Sequence, residues 1–219
     1  EPGVTLAAQK SLAEQSGNRF LLGIGVSHKP LVEGVRGLEY RPPVATMRSY
    51  LEKMQGSPYT ARMPSEDTPT VIAALGPKML ALAAEQAGGA HPYFTSPEHT
   101  RMARDVMGPG PLLCVEQKVI CEEDPEKARA VARPVAKIYH MLPNYRNNWL
   151  RMGLTDSDID DLSDRFIDTT FAWGTIEQIR NRIQEHHDAG ADHVCVQPIH
   201  PEMGMAVLDW DCLEALSPN

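Results

Sequence analysis

The chain alternates continuous apolar runs of strand length with segments whose apolar residues recur at helical spacing. The runs lack the polar alternation of a strand with one solvated face, which is typical of strands buried on both sides. This order predicts an α/β fold with a parallel sheet and helices outside it. Five strands are predicted, at residues 19–25, 70–75, 90–94, 112–120 and 193–199.

Several predicted helices begin with recognisable first-turn signals. Ser96 and Asp124 each stand directly before a proline, which places an N-cap residue ahead of Pro at the first helical position. Thr175 and Gln178 have the spacing of a capping box. The predicted helices cover residues 4–15, 42–55, 78–87 and 176–189, and others begin after residues 96, 124 and 155.

Two parallel architectures fit this order of elements. An open doubly wound sheet needs only five strands, whereas a (β/α)8 barrel needs eight over about 250 residues. The chain begins without Met, inside a helix that leads into a strand, as if partway through a β/α series. We therefore expect an incomplete TIM-type barrel with about five of eight strand–helix units, about three more preceding Glu1. No break in composition divides the chain, so residues 1–219 are expected to form a single domain.

Composition argues against some classes of binding partner and favours one cellular compartment. The net charge of -8 argues against a nucleic-acid binder, which would normally be basic. No apolar run approaches the ~20 residues of a membrane span. The four cysteines form no CxxC and no ligand-like spacing, which favours a reduced cytoplasmic protein. A small-molecule substrate is thus expected, with no nucleic acid and no membrane.

Glycine-rich strand ends are the first candidate site. Gly25, Val26, Ser27 and His28 follow the first predicted strand, where Gly permits close backbone approach and Ser27 can donate to a phosphate oxygen. A tight turn with no ligand explains the same residues. Leu75, Gly76 and Pro77 end the second strand and open a helix, whose N-terminus favours an anion. A helix start without a ligand is the alternative there.

Polar and aromatic residues near the third and fourth strands are the second candidate. His91, Tyr93 and Thr95 stand at the end of the third strand, where they either line a pocket or belong to an aromatic plug in the core. Glu116 lies within the fourth strand, and a charge there must be paired or face a polar interior. An exposed strand edge is the other explanation for it. The histidines show no metal-ligand spacing, and no metal site is expected.

Three segments together carry a family resemblance. QSGNRFLLGIGVSH (15–28), ALGPKMLALAAEQAGGAHPYFTSPEHT (74–100) and AWGTIEQIRNRIQEHHDAGADHVCVQPI (172–199) resemble the luciferase-like monooxygenase superfamily. Within it they are most similar to coenzyme F420-dependent oxidoreductases of mycobacterial type. The likeness spans residues 6–216. It implies a TIM-type barrel in which residues 19–25 form the fourth strand and residues 193–199 the eighth.

The resemblance also implies a function. It suggests an F420-dependent oxidoreductase that transfers a hydride between the deazaflavin and a small organic substrate. An FMN-dependent luciferase-like monooxygenase is the close alternative, and a non-catalytic barrel fragment or subunit is the third. The family's first three strands supply much of its active site, so catalytic residues are expected outside this chain, and a homodimer is expected. The resemblance implies cofactor contacts at Gly25, Val26, Ser27, His28, Leu75, Gly76 and Pro77. From their positions at or within strands, the expected substrate residues are His91, Tyr93, Thr95 and Glu116.

Overall fold

The computed structural model describes residues 1–217, in which strands and helices alternate as the sequence predicts. Its strands are β1 Leu22–Ile24, β2 Thr70–Ala73, β3 Gly89–His91, β4 Leu112–Ile120, β5 Phe171–Trp173 and β6 His193–Pro198. Its helices are α1 Pro2–Gln15, α2 Pro43–Gln55, α3 Pro77–Gln86, α4 Pro97–Met107, α5 Pro125–Tyr139, α6 Pro143–Arg151, α7 Asp156–Asp160, α8 Asp164–Thr170, α9 Ile176–Asp188 and α10 Trp210–Leu216, with a π-helical segment at Pro30–Val35.

The chain divides into two compact units, the first of residues 1–91 and 106–112, the second of residues 92–105 and 113 onward. In the first unit β1, β2 and β3 form a parallel sheet in that order. Ile24 pairs with Ile72, and Ala73 pairs with His91. The buried core includes Ile72 of β2 and Leu80 of α3. All three strands therefore end at the same edge of their sheet.

The second unit is built on β4, which pairs in parallel with β5 on one side and β6 on the other. Lys118 of β4 is in register with Phe171 of β5 and with Gln197 of β6. The largest fully buried side chains of this unit are those of Trp149, Phe94, Lys118, Phe166 and Phe171. A charged residue thus lies in an otherwise aromatic core.

Local signals in the sequence are confirmed where they concern helix starts. Thr175 and Gln178 form the capping box of α9, and Thr155 caps α7 in the same way. The Asp124 side chain accepts hydrogen bonds from the first turn of α5. The predicted fourth strand, residues 112–120, coincides with β4.

Other boundaries differ from the sequence prediction. The predicted third strand, residues 90–94, ends at His91, because Pro92 has no N–H to donate and Phe94 has a φ of 61°. The prediction lacked β5, which has only three residues, and it also lacked α6, α8 and α10. The described residues thus contain six strands, fewer than the eight of a closed barrel.

The expectation of reduced cysteines is wrong for one pair. Cys121 and Cys212, which lie 91 positions apart, form a disulfide that does not include Cys114 or Cys195. Spacing along the chain could not show this contact, because Cys121 follows β4 and Cys212 lies in the C-terminal helix α10. Within residues 1–217, no helix has the length and apolar character that crossing a membrane requires.

Candidate functional site

The first unit brings the predicted cofactor residues to one edge. Because β1, β2 and β3 are parallel, the residues that follow each of them meet at the same end of the sheet. That end is formed by Gly25, Val26, Ser27 and His28 after β1, by Leu75, Gly76 and Pro77 after β2, and by His91 at the end of β3. We call this group the strand-end edge.

The backbone at this edge has two special features. A Cβ atom on Gly25 would lie 3.1 Å from the Cβ of Ala73, so glycine permits the close approach of the two strands. Ser27 has a φ of 60°, a left-handed conformation that is uncommon for a residue with a side chain. Such conformations cluster at ligand-binding sites, where the surrounding structure holds them. Ser27 therefore has the backbone character of a functional residue.

The helix that follows β2 leaves its N-terminus without a side-chain cap. Gly76 is the N-cap residue of α3 in an extended conformation, and Pro77 stands in the first turn. The helix dipole and the first-turn N–H groups favour an anion at this end. A cavity of about 260 Å³ also lies in this unit, lined by Ile24, Gly25, Val26, Thr46, Met47 and Tyr50. The strand-end edge thus combines an uncapped helix N-terminus with a concave surface beside β1.

The second unit buries an ion pair on one face of β4. The Lys118 ammonium lies 3.2 Å from both carboxylate oxygens of Glu116, and both residues are buried. Glu116 also accepts a hydrogen bond of 2.9 Å from the backbone N–H of Phe94. The carboxylate is therefore neither at an exposed edge nor unpaired, and it holds the backbone at Phe94 in its left-handed conformation.

Aromatic rings enclose the ammonium. Lys118 Nζ lies 3.7 Å from the ring centroid of Tyr93 and 3.9 Å from that of Phe94, close enough for cation–π attraction. Burial lowers the pKa of Lys118 to about 8, although Glu116 opposes this shift. The Tyr93 hydroxyl donates to Gln197 at 2.8 Å and lies 2.9 Å from the Tyr139 hydroxyl. Burial, together with the bond to Tyr139, raises the pKa of Tyr93, so this hydroxyl keeps its proton.

Phe94 and Thr95 are closed off from solvent. The Phe94 ring packs against those of Tyr139, Trp149 and Phe171, and its carbonyl accepts a hydrogen bond from the Trp149 indole. The aromatic-plug explanation is therefore confirmed for Phe94. The Thr95 hydroxyl is buried and has no hydrogen-bond partner among the described residues. Tyr93 is half-buried, which makes it the most accessible of the predicted substrate residues in this unit.

On the opposite face of β4, polar side chains form a second hydrogen-bonded group, which the sequence did not lead us to predict. His186 of α9 lies between Gln117 and Thr100, with Nε2 at 3.0 Å from Gln117 Oε1 and Nδ1 at 2.8 Å from Thr100 Oγ1. Burial lowers the pKa of His186 to about 4, and the positive charge of Arg182 adds to this shift. The alternation of side chains along β4 separates Gln117 from Glu116 and Lys118. That same alternation places Glu116 and Lys118 on one side of β4, but it does not show that this side is buried.

Comparison with known proteins identifies the family. The family model of the luciferase-like monooxygenases matches residues 1–193. A protein of Mycobacterium tuberculosis, whose name describes a candidate coenzyme F420-dependent oxidoreductase, is 24% identical over 258 residues, covering 89% of this chain and 74% of that protein.

Solved structures show the same fold at low sequence identity. An F420-dependent secondary alcohol dehydrogenase in complex with an F420–acetone adduct has a TM-score of 0.69 at 14% identity, covering 100% of this chain and 76% of that one. The FMN complex of a type II Baeyer–Villiger monooxygenase component from Pseudomonas putida has a TM-score of 0.63 at 15% identity, covering 90% and 70%. These likenesses confirm the predicted fold class, an incomplete barrel of the luciferase-like kind. Because the family match covers most of its length, the chain belongs to the luciferase-like monooxygenase family of oxidoreductases.

Proposed function

We propose that the chain is an F420-dependent oxidoreductase and that its strand-end edge holds the deazaflavin cofactor. Such a cofactor, when bound, supplies a hydride donor or acceptor for a small organic substrate. The observation that carries the proposal is the parallel register of β1, β2 and β3, which places the three predicted loops at one edge. The name of the Mycobacterium tuberculosis relative supports F420 as the cofactor.

The residues of the strand-end edge fit both the phosphate and the ring of a phosphorylated redox cofactor. The uncapped N-terminus of α3 and the Ser27 hydroxyl suit the phosphate, since both could donate hydrogen bonds to it. The cavity beside Gly25 and Val26 has a volume of about 260 Å³. Pockets for drug-sized ligands are typically about 300–1,000 Å³. This cavity therefore suits one portion of the cofactor rather than all of it.

The predicted substrate residues have separate roles in the proposal. His91 belongs to the strand-end edge of the first unit. In the second unit, the Tyr93 hydroxyl donates its one proton to Gln197, and a substrate oxygen would take the place of Gln197 as its acceptor. Glu116 supports Tyr93 indirectly by holding Lys118 beneath the ring. Thr95 is completely buried, so the proposal gives its hydroxyl no direct substrate contact. We also propose that the chain forms a homodimer. Light scattering tests this, because a homodimer has twice the mass of one chain, which is 24.2 kDa.

An FMN-dependent monooxygenase is the second candidate function. It is favoured by the likeness to the Pseudomonas putida structure, which contains FMN. Titration of the purified chain with F420 and with FMN separates the candidates, with cofactor absorbance or fluorescence as the signal. Saturable binding of F420 but not of FMN is expected. Preferential binding of FMN would establish the second candidate, and binding of neither by folded protein would leave a non-catalytic subunit.

A variant of Ser27 tests the position of the phosphate. Ser27→Ala removes the hydroxyl but not the Cβ, so the left-handed backbone is strained equally in both proteins. Loss of a hydrogen bond to a charged group costs about 1.5–3 kcal/mol, so F420 should bind about tenfold more weakly or worse. The matched control is Ser57→Ala, because the Ser57 hydroxyl bonds to the Lys53 carbonyl and belongs to none of the three loops of the strand-end edge. Equal affinities of the two variants would contradict the placement at Ser27.

A further inference from the structure

Cys121, Asp209 and Cys212 come together in the second unit. One potential ligand atom from each residue lies within 4.8 Å of the other two. Cys121 directly follows β4, Asp209 is the N-cap residue of α10, and Cys212 lies in the first turn of that helix. The two cysteine Cα atoms are 6.2 Å apart. Residues from distant parts of the chain thus converge on one point at the C-terminal end of β4.

We propose that these three residues form a zinc site when Cys121 and Cys212 are reduced, with water as the fourth ligand. Two thiolates and a carboxylate belong to the ligand types that zinc takes in proteins, and three protein ligands with a water complete a tetrahedral site. Thiolates also select zinc over magnesium and calcium, which prefer oxygen ligands. The same two sulfur atoms therefore have two alternative states, a disulfide and a metal-binding dithiolate.

The surroundings hold the ligands in place. The Asp209 side chain accepts a hydrogen bond of 3.0 Å from the backbone N–H of Cys212, which fixes the carboxylate at the start of α10. A carboxylate has further lone pairs, so this bond does not prevent it from coordinating a metal. Cys212 packs against the buried side chains of Val119, Ala172 and Ile179. An apolar wall on one side limits water access and strengthens the interaction between a cation and its ligands.

Local charge favours a cation at this point. Glu122 and Glu123 follow Cys121, and Asp211 precedes Cys212. With Asp209 they make the chain beside both cysteines acidic, which suits a divalent cation better than an anion.

The conversion of the disulfide to the zinc-bound dithiolate is balanced in atoms and electrons. A phosphine reductant breaks the S–S bond, is oxidised to its phosphine oxide with an oxygen atom from water, and leaves two thiols. Zinc then replaces the two thiol protons, which pass to the buffer. Oxidation of the dithiol to the disulfide removes the thiolate ligands, so the oxidised protein should not bind the metal here.

Cobalt(II) is the probe for the test, because its thiolate complexes absorb in the near ultraviolet. The protein is reduced with a phosphine, freed of reductant without oxygen and titrated with Co²⁺. One equivalent should produce a thiolate-to-cobalt charge-transfer band, and Zn²⁺ should abolish the band by displacing the cobalt. The absence of a band at saturating Co²⁺ would overturn the proposal, as would an equal band in the oxidised protein.

Matched variants separate this cluster from the other thiols. Cys212→Ser should lose the band, whereas Cys195→Ser, which removes a free cysteine of β6, should keep it. Asp209→Asn should weaken cobalt binding about tenfold or more while retaining an N-cap residue, since Asn caps helices as well as Asp does. Folding is followed by circular dichroism. A band lost equally in both cysteine variants, or unchanged in folded Cys212→Ser, would refute the assignment.

Discussion

Acidification should destabilise the second unit through His186. Its imidazole is completely buried, with Gln117 and Thr100 as its hydrogen-bond partners. The Gln117 amide nitrogen donates to the carbonyls of Lys118 and Thr170, which leaves the Gln117 oxygen to accept from Nε2–H. Nδ1 is then the unprotonated nitrogen, and it accepts from the Thr100 hydroxyl, whose contact with it at 2.8 Å is shorter than its bond of 3.3 Å to the Ser96 carbonyl. A neutral imidazole satisfies both partners, so the folded state favours that form.

The magnitude follows from the pKa of His186, which burial and the nearby Arg182 lower from 6.5 to about 4, against the opposing charge of Glu98. Between these values the unfolded chain binds a proton that the folded chain does not bind. Stability from His186 is therefore present above pH 6.5 and decreases as the pH falls towards 4. At about 1.36 kcal/mol per pKa unit, the full loss is roughly 3 kcal/mol.

Urea unfolding at a series of pH values measures this contribution. Other groups titrate in the same range, so the relevant quantity is the difference between the wild type and His186→Gln, which cannot be protonated. That difference should change by roughly 3 kcal/mol between pH 7 and pH 4. The control is His187→Gln, which alters the adjacent imidazole bonded to the Ala191 carbonyl and should preserve the wild-type pH dependence. Parallel stability curves for the wild type and His186→Gln would refute the argument.

Two further substitutions test the buried ion pair and a helix cap. Glu116→Gln leaves the Lys118 ammonium buried without its counter-charge, so the free energy of unfolding should decrease by about 3–5 kcal/mol. Because Glu116 raises the pKa of Lys118, the ammonium in the variant should lose its proton below the wild-type value of about 8, so this decrease should be largest at low pH and shrink as the pH rises towards 8. A pH-independent loss in urea unfolding would contradict the charge argument. Thr175→Ala removes the capping box of α9 and should lower the free energy of unfolding by about 1 kcal/mol. An unchanged unfolding midpoint would show that this cap does not stabilise the helix.

Features that depend on neighbouring residues could be predicted from the sequence. The strand predicted at residues 112–120 ends just before a cluster of acidic residues. In the structure β4 has the same bounds and nine residues. The cap of α9 involves Thr175 and Gln178, which are three positions apart. A capping box involves only residues of the first helical turn, so it can be recognised without knowing which distant residues pack against the helix.

Short elements could not be predicted in the same way. β5 has three residues, Phe171–Trp173, and it is a strand because it pairs with residues 118–120 of β4. Three residues are too few to show a period of two or of 3.6. The third predicted strand failed for a related reason. Phe94 is apolar and follows a strand, but its backbone is held in a left-handed conformation alongside a bond to Glu116, a residue 22 positions away.

By itself, the sequence determined the alternation of the longer strands and helices, the starts of the capped helices α5 and α9 and the expectation of a shared strand-end edge, because these follow from local patterns and from parallel pairing. Tertiary structure alone decided that Lys118 pairs with Glu116 beneath aromatic rings, that His186 lies between Gln117 and Thr100, and that Cys121 meets Cys212. These contacts depend on which side chains share a buried face after packing. Sequence spacing carries little information about that, since the partners of His186 lie 69 and 86 positions away and the two cysteines lie 91 positions apart.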